Sequence, residues 1–91
     1  MLQIQLFPAL SNCIETVAKR EYRVTLGQLL AGDEENKELQ ERIELLRVFL
    51  ETADFRRLRT ESEKHLLEGR KVKFVVHLEE ENAKYEMEIT Q

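Results

Sequence analysis

The chain has 91 residues, 42% of them hydrophobic and 35% charged, with three Gly, one Pro and one Cys. This length predicts one domain, residues 1–91, and the composition excludes collagen-like, low-complexity, disordered and disulfide-scaffold proteins as well as Cys-based zinc sites. The net charge of −4 argues against a dedicated binder of nucleic acids or anionic membranes, because both classes usually carry a basic excess.

The first residues of the chain alternate between apolar and polar side chains. Leu2, Ile4 and Leu6 are separated by glutamines, a period of two that is typical of a half-buried strand. Pro8 stops strand pairing and suits the first turn of a helix, where its missing N–H is not needed. Apolar residues then recur at helical spacing, which predicts a first short helix over about residues 8–21.

A second short helix is predicted to follow residues 22–24, which form a turn or a brief extended piece. Thr25 and Gln28 have the spacing of a capping box, in which each side chain satisfies a backbone N–H at the other position. Three leucines come next, and Gly32 suits the left-handed position that ends a helix. Gly27 argues against this helix, since an interior glycine costs about 1 kcal/mol relative to alanine.

The strongest helical pattern begins at Glu34, with Asp33 as the expected N-cap. Five apolar residues share one face of this helix: Leu39, Ile43, Leu46, Leu50 and Ala53. Other apolar residues point roughly the opposite way: Val48, Phe55 and Leu66. Either the helix kinks or breaks near residues 52–54, or again at Thr60, or one long helix lies between two apolar partners. Gly69 ends the helical region in each case.

The C-terminal residues carry a second strong pattern. Residues 72–78 and 85–89 each alternate between apolar and polar side chains on either side of an acidic turn, which predicts a β-hairpin with one apolar and one charged face. The expected fold class is therefore α+β. It comprises an N-terminal strand, two short helices and a long helix, then the C-terminal β-hairpin, with the helices packed on one face of a small three-stranded sheet.

No residue pattern in the sequence predicts catalysis or a cofactor. Cys13 lies on the apolar side of the first helix and is expected to be a small core residue. His65 and His77 lack partners at metal-ligand spacing, and the three glutamates at residues 79–81 are expected to form a solvated turn. We therefore expect a protein that is not an enzyme and binds no metal.

The two apolar faces of the long helical segment predict self-association. Together they exceed what one small core uses, so one face is expected to pack against a second subunit. We interpret the chain as a non-enzymatic protein-interaction or regulatory module that forms a homodimer through the long helix. The candidate self-association face comprises Val48, Phe55 and Leu58.

A basic segment at residues 54–73 supports an alternative function. It holds seven positive and four negative side chains, so it is locally basic within an acidic chain. The candidate anion- or partner-binding patch comprises Arg56, Arg57, Arg59, Arg70 and Lys71. This patch predicts a nucleic-acid-binding regulator, whereas the competing interpretation pairs these arginines with Glu51, Glu63 and the acidic turn. A third interpretation, without positive support, is a small enzyme or ligand-binding protein whose site is assembled only between subunits.

The sequence also predicts where the protein is located. No apolar stretch approaches the roughly 20 residues that a transmembrane helix needs. The first seven residues have neither the positive region nor the continuous apolar region of a secretory signal. We therefore expect a cytoplasmic protein that does not engage a membrane.

Overall fold

Three helices lie between an N-terminal strand and a C-terminal pair of strands in the computed structural model, which describes residues 2–8, 13–32, 34–80 and 82–91. The elements in chain order are β1 (Leu2–Leu6), α1 (Ile14–Leu30), α2 (Lys37–Thr52), α3 (Phe55–Leu67), β2 (Lys71–Glu79) and β3 (Asn82–Thr90). The α+β class, with three helices and a three-stranded antiparallel sheet, is confirmed. None of the described helices is long and apolar enough to cross a membrane.

The helix starts differ from the predicted ones. The first helix was expected to begin at Pro8, which instead lies in a bend before α1. Residues 9–12, the predicted cap Asp33 and Glu81 of the acidic turn lie outside the described residues. α2 begins after Asn36, whose side-chain oxygen accepts hydrogen bonds from the backbone N–H groups of Glu38 and Leu39 at 3.1 and 3.3 Å. This amide therefore satisfies two backbone donors that the first turn of α2 leaves free.

β2 forms the centre of the sheet, with β1 and β3 antiparallel on either side. The register places Ile4 opposite Phe74, and Phe74 opposite Met87. Alternate side chains of the first two strands are buried: Leu2, Ile4, Leu6, Val72, Phe74 and Val76. Their neighbours on the other face are exposed or half-buried. The helices therefore cover one face of the sheet, because successive strand residues point to opposite faces.

A single continuous helix, α1, replaces the two short helices predicted for the segment between residues 8 and 30. The hydroxyl of Thr25 donates to the backbone oxygen of Glu21 at 2.7 Å, so it bonds within α1 instead of capping a new helix. Gly27 costs only about 1 kcal/mol. Interrupting α1 would cost more, because backbone hydrogen bonds and packing against α2 would both be lost.

The break near residues 52–54 is confirmed, and the alternative of one long helix is wrong. Ala53 has extended backbone angles, φ −73° and ψ 140°. The carboxylate of Asp54 accepts the backbone N–H of Arg57 at 3.2 Å and caps the new helix. No second break occurs at Thr60, whose hydroxyl donates to the backbone oxygen of Arg56 inside α3. α3 ends before Gly69, which has φ +81°.

The helices and the sheet share one core. Its centre is Phe49, which is fully buried. The Phe49 ring makes edge-to-face contacts with the rings of Phe55 and Tyr85, at centroid distances of 5.3 and 6.0 Å. This aromatic cluster joins α2, α3 and β3 in a geometry that aromatic rings prefer.

The molecule is elongated. Its principal extents are 42 × 28 × 20 Å, and its radius of gyration is 13.5 Å. A compact domain of this length has a radius of gyration of about 12 Å. Part of the chain therefore projects beyond the sheet and its covering helices.

The core predicts a contrast between two leucines of α3. Leu58 is fully buried and Leu67 is 72% exposed. We expect Leu58→Ala to lower the free energy of unfolding by about 2–5 kcal/mol, because it leaves a cavity beside the sheet. Leu67→Ala, the matched control, should change it by less than about 0.5 kcal/mol. Urea unfolding of both variants at one protein concentration measures this, and equal effects would contradict the described orientation of α3.

Candidate interaction surfaces

The predicted self-association face is not an open surface of the single chain. Leu58 is fully buried, Val48 is 7% exposed, and the half-buried Phe55 ring packs against Phe49. The cause is the break at residues 53–54, which turns α3 back onto the sheet. Phe55 remains partly accessible, but Leu58 and Val48 are covered in the single chain. The structure therefore corrects the prediction that these three residues form one open docking face.

The predicted basic patch is also divided among several surfaces. Nη2 of Arg57 donates to the hydroxyl of Tyr85 at 2.7 Å, which directs this arginine towards β3. Arg56 and Arg59 instead line a cavity together with Cys13, at the start of α1. The three α3 arginines therefore face two different neighbours.

Arg70 and Lys71 lie on a third surface, where β2 begins. Arg70 approaches Nδ1 of His65 at 2.8 Å through Nη1 and forms an ion pair with Glu68. Nζ of Lys71 lies 5.9 Å from the centroid of the Phe7 ring, within the range of a cation–π contact. The structure thus brings together only Arg56 and Arg59 of the five predicted residues.

Some of the expected charge pairing is present. Arg59 lies 3.8 Å from Glu63, and Arg57 lies 3.7 Å from Glu61. Glu51, which was expected to pair with this segment, pairs with Arg47 of its own helix instead. Arg56 makes no ion pair within the described part of the chain. The basic segment is therefore partly neutralised, and its freest guanidinium faces the cavity beside α1.

The remaining candidate residues do not form a chemical site. Cys13 is half-buried at a cavity wall, whereas it was expected to lie in the core. His77 is exposed on the open face of the sheet. Among the described residues, no group of three or more His, Cys, Asp or Glu side chains could hold a metal ion.

The hairpin formed by α1 and α2 leaves its apolar side chains uncovered. We call residues 21–32 and 34–44 the arm. Thr25 is the one buried residue in the described part of the arm. Its aliphatic side chains are half-buried or exposed: Val24, Leu26, Leu29, Leu30, Leu39 and Ile43. Leu30 is 70% exposed. The arm therefore has no apolar core of its own.

Most of this apolar surface lies on one flank of the hairpin. Tyr22, Leu26 and Leu30 of α1 recur at intervals of four. Leu39, Ile43 and Leu50 of α2 recur at intervals of four and seven, so each set follows one side of its helix. Tyr22 and Leu50 line the same cavity, which places the two sets on the same flank. We call them the apolar stripe: Tyr22, Leu26, Leu30, Leu39, Ile43 and Leu50.

Polar contacts hold the two helices of the arm together. Nη2 of Arg42 donates to Oε2 of Glu21 at 2.7 Å, and these side chains are 39% and 32% exposed. Partial burial and the short distance make this pair stronger than a fully exposed one. This ion pair links the two helices at the base of the arm, while the apolar flank remains partly exposed.

The outer side of α2 carries a small charge network. Arg47 bonds to Glu44 one turn before it and to Glu51 one turn after it. The hydrogen bond from Arg47 lowers the pKa of the Glu44 carboxyl, and the same contact raises the pKa of the Arg47 guanidinium. Water screens these exposed groups, so the network contributes little beyond support for α2 itself.

Two adjoining cavities form a groove beside the apolar stripe. They have volumes of about 310 and 360 Å³, and Glu15 lines both of them. Tyr22 and Leu50 are among the residues that line the first cavity, and Phe55 is among those that line the second. We call these two cavities the groove. Its lining combines apolar side chains with charged ones.

Leu26 and Leu30 were not predicted to be surface residues. They were expected in a separate short helix because Thr25 and Gln28 have the spacing of a capping box. The available signal was the interval of four from Tyr22 to Leu26 to Leu30, which continues a single helix across residues 22–24.

Comparison with known proteins gives a family and one relative. A protein-family model matches residues 2–88. The chain is 48% identical over 50 residues to an uncharacterized protein from Archaeoglobus fulgidus. This match spans 53% of the chain and 59% of the relative, so the chain spans less than two thirds of that protein's length. No solved structure matches the chain.

Proposed function

The chain belongs to the protein family whose model matches residues 2–88, and for this member we propose a non-enzymatic interaction module that associates with a second copy of itself through the arm. One observation carries the proposal: two helices project from the sheet, and none of the described apolar side chains of the arm is buried. Most helices in proteins are stabilised by packing an amphipathic face. In the single chain the two helices of the arm pack on each other, but their apolar side chains stay half-buried or exposed.

The apolar stripe supplies the surface for association. Fully burying a leucine or isoleucine side chain contributes about 1.5–3 kcal/mol. A second arm that packs on the stripe covers side chains such as Leu26, Leu30 and Ile43 in both copies at once. Four helices packed around a shared apolar centre form a common and stable arrangement.

A second copy is the partner that the stripe suits best. Closed dimers with two-fold symmetry are the commonest soluble oligomers, and they use the same patch on both subunits. The stripe can serve as the same patch on both subunits, because its two sets of residues, on α1 and on α2, belong to one chain. The association retains the long-helix interface expected from sequence but moves it from Val48, Phe55 and Leu58 to residues that are accessible.

We propose that the protein acts by binding and not by catalysis, and that it is located in the cytoplasm. It assigns no role to a nucleophile, a general base or a metal ion. Cys13 is free, and the chain has no second cysteine with which it could form an internal disulfide. A free thiol of this kind fits a reducing compartment.

The proposed interface predicts a dimer that one pair of substitutions disrupts. We expect wild-type protein to have twice the 10.8 kDa chain mass by light scattering across a dilution series. Leu26→Glu combined with Leu30→Glu should weaken the dimer about 100-fold or more, because charges replace side chains that the partner covers.

Val24→Glu is the control for this experiment. Val24 is 51% exposed, but its position in the helical repeat is on the other flank of α1. We expect this variant to remain a dimer with an unchanged circular dichroism spectrum. The proposed interface would be contradicted if wild-type protein were monomeric throughout the series, or if both variants lost mass equally.

Nucleic-acid binding is the second candidate, favoured by Arg56 and Arg59 on one cavity. It predicts binding of duplex or single-stranded probes at low salt that weakens as salt rises. Arg56→Gln with Arg59→Gln should then reduce affinity, whereas Arg70→Gln, on another surface, should not. Fluorescence anisotropy measures this, and absence of binding at low salt removes this candidate.

A further inference from the structure

We propose that Arg23 and Arg56, at the edges of the groove, recognise the acidic tip of the arm of the second copy. The inference rests on the self-association proposed above and adds the arrangement of the two copies. Each arm tip lies over the groove of the other copy. The occupant of the groove is thus the start of α2 in a second chain, together with the described residues 34–36 that precede it.

The groove combines a few apolar side chains with an excess of positive charge. Its charged lining residues are four basic and two acidic: Lys19, Arg23, Arg56, Arg59, Glu15 and Glu63. Lys19 is held by Glu15 at 3.3 Å, and Arg59 lies 3.8 Å from Glu63. Within the described chain, Arg23 and Arg56 form no ion pair. They are therefore the positive groups available to a partner.

The tip of the arm has the opposite charge. Described residues 34–41 hold four glutamates and one lysine. Glu34 and Glu35 lie in the turn before α2, and Glu38 lies in its first turn. All three are exposed, and none forms an ion pair with another described residue. The tip thus offers carboxylates that match the guanidinium groups at the groove.

The apolar stripe connects the groove to the tip and sets the arrangement. It begins at Tyr22 and Leu50 in the groove and ends at Leu30 and Leu39 near the tip. Tyr22 and Leu30 are eight residues apart, which is about 12 Å along a helix. When two stripes stack in opposite directions about a two-fold axis, each tip reaches the other groove. One symmetric dimer therefore contains this charge contact twice.

Opposite stacking is also the arrangement that the charges permit. Stacking in the same direction would bring two acidic tips together and two basic grooves together. Exposed charges contribute little affinity each, but they select between such arrangements and speed encounter. Arg23 and Arg56 thus determine the orientation of the copies, and the stripe provides most of the affinity.

A charge-exchange experiment tests this contact. The groove variant carries Arg23→Glu and Arg56→Glu, the tip variant carries Glu34→Lys and Glu35→Lys, and the exchanged variant carries all four changes. At low salt we expect the groove and tip variants each to weaken the dimer about 10-fold or more. The exchanged variant should return to within about threefold of wild type, because each groove again meets a tip of opposite charge.

The control separates this contact from net charge. Arg20→Glu with Lys84→Glu changes the chain charge as much as the groove variant does, at exposed positions outside the groove. We expect it to affect the dimer much less than the groove variant. High salt should reduce all differences, since it screens exposed charges.

The possible outcomes distinguish this inference from the proposed function. A dimer that is equally tight in all variants would overturn the charge contact and leave self-association through the stripe intact. Weakening without recovery in the exchanged variant would also overturn it, as would equal weakening in the control. A wild-type monomer at every concentration would overturn both the proposed function and this inference.

Discussion

The rest of the structure depends on the two residues that interrupt the helical run from α2 to α3. Ala53 takes an extended conformation, and Asp54 caps the next helix with its carboxylate. The chain thereby changes direction, and Leu58 comes to lie beside the sheet in the same core as Phe49. Without the break, the apolar residues on the two sides of the segment would need two separate partners. With it, residues from both sides enter one core.

The break also explains why the molecule has two unlike parts. The sheet, α3 and the adjoining halves of α1 and α2 form a body whose apolar side chains are largely buried. The far halves of α1 and α2 form the arm, which reaches beyond the sheet and finds no third element to pack on. Small domains bury a smaller fraction of their surface than large ones do. In the proposed dimer, a second subunit supplies the missing layer.

The charged groups that form no ion pair in the described chain also lie in separate places. Two basic ones, Arg23 and Arg56, lie at the edges of the groove, and the acidic ones lie at the tip of the arm. At the base of the arm, Arg42 and Glu21 are already paired with one another. The local pair holds the helices of one copy together, whereas the separated charges suit contacts between copies. Such contacts give direction to an association that apolar surfaces alone leave unspecified.

The sequence by itself determined the elements whose signals are local and strong. Alternation along Leu2–Leu6 and residues 72–78 identified the strands, because a period of two fits only a pleated sheet with one covered face. On a continuous helix, Val48 and Phe55 would point away from the face that carries Leu46 and Leu50. This pattern identified a discontinuity near residues 52–54 as one explanation.

Tertiary structure alone decided what each apolar face packs against. A helical repeat shows which residues share a face but not whether the neighbour is the same chain or another. Packing against α2 made α1 continuous through Gly27, and the turn at Asp54 buried Leu58, although local signals favoured other outcomes for both. Tertiary packing also divided the basic segment, because the positions of α1 and β3 decide which neighbour each arginine of α3 faces.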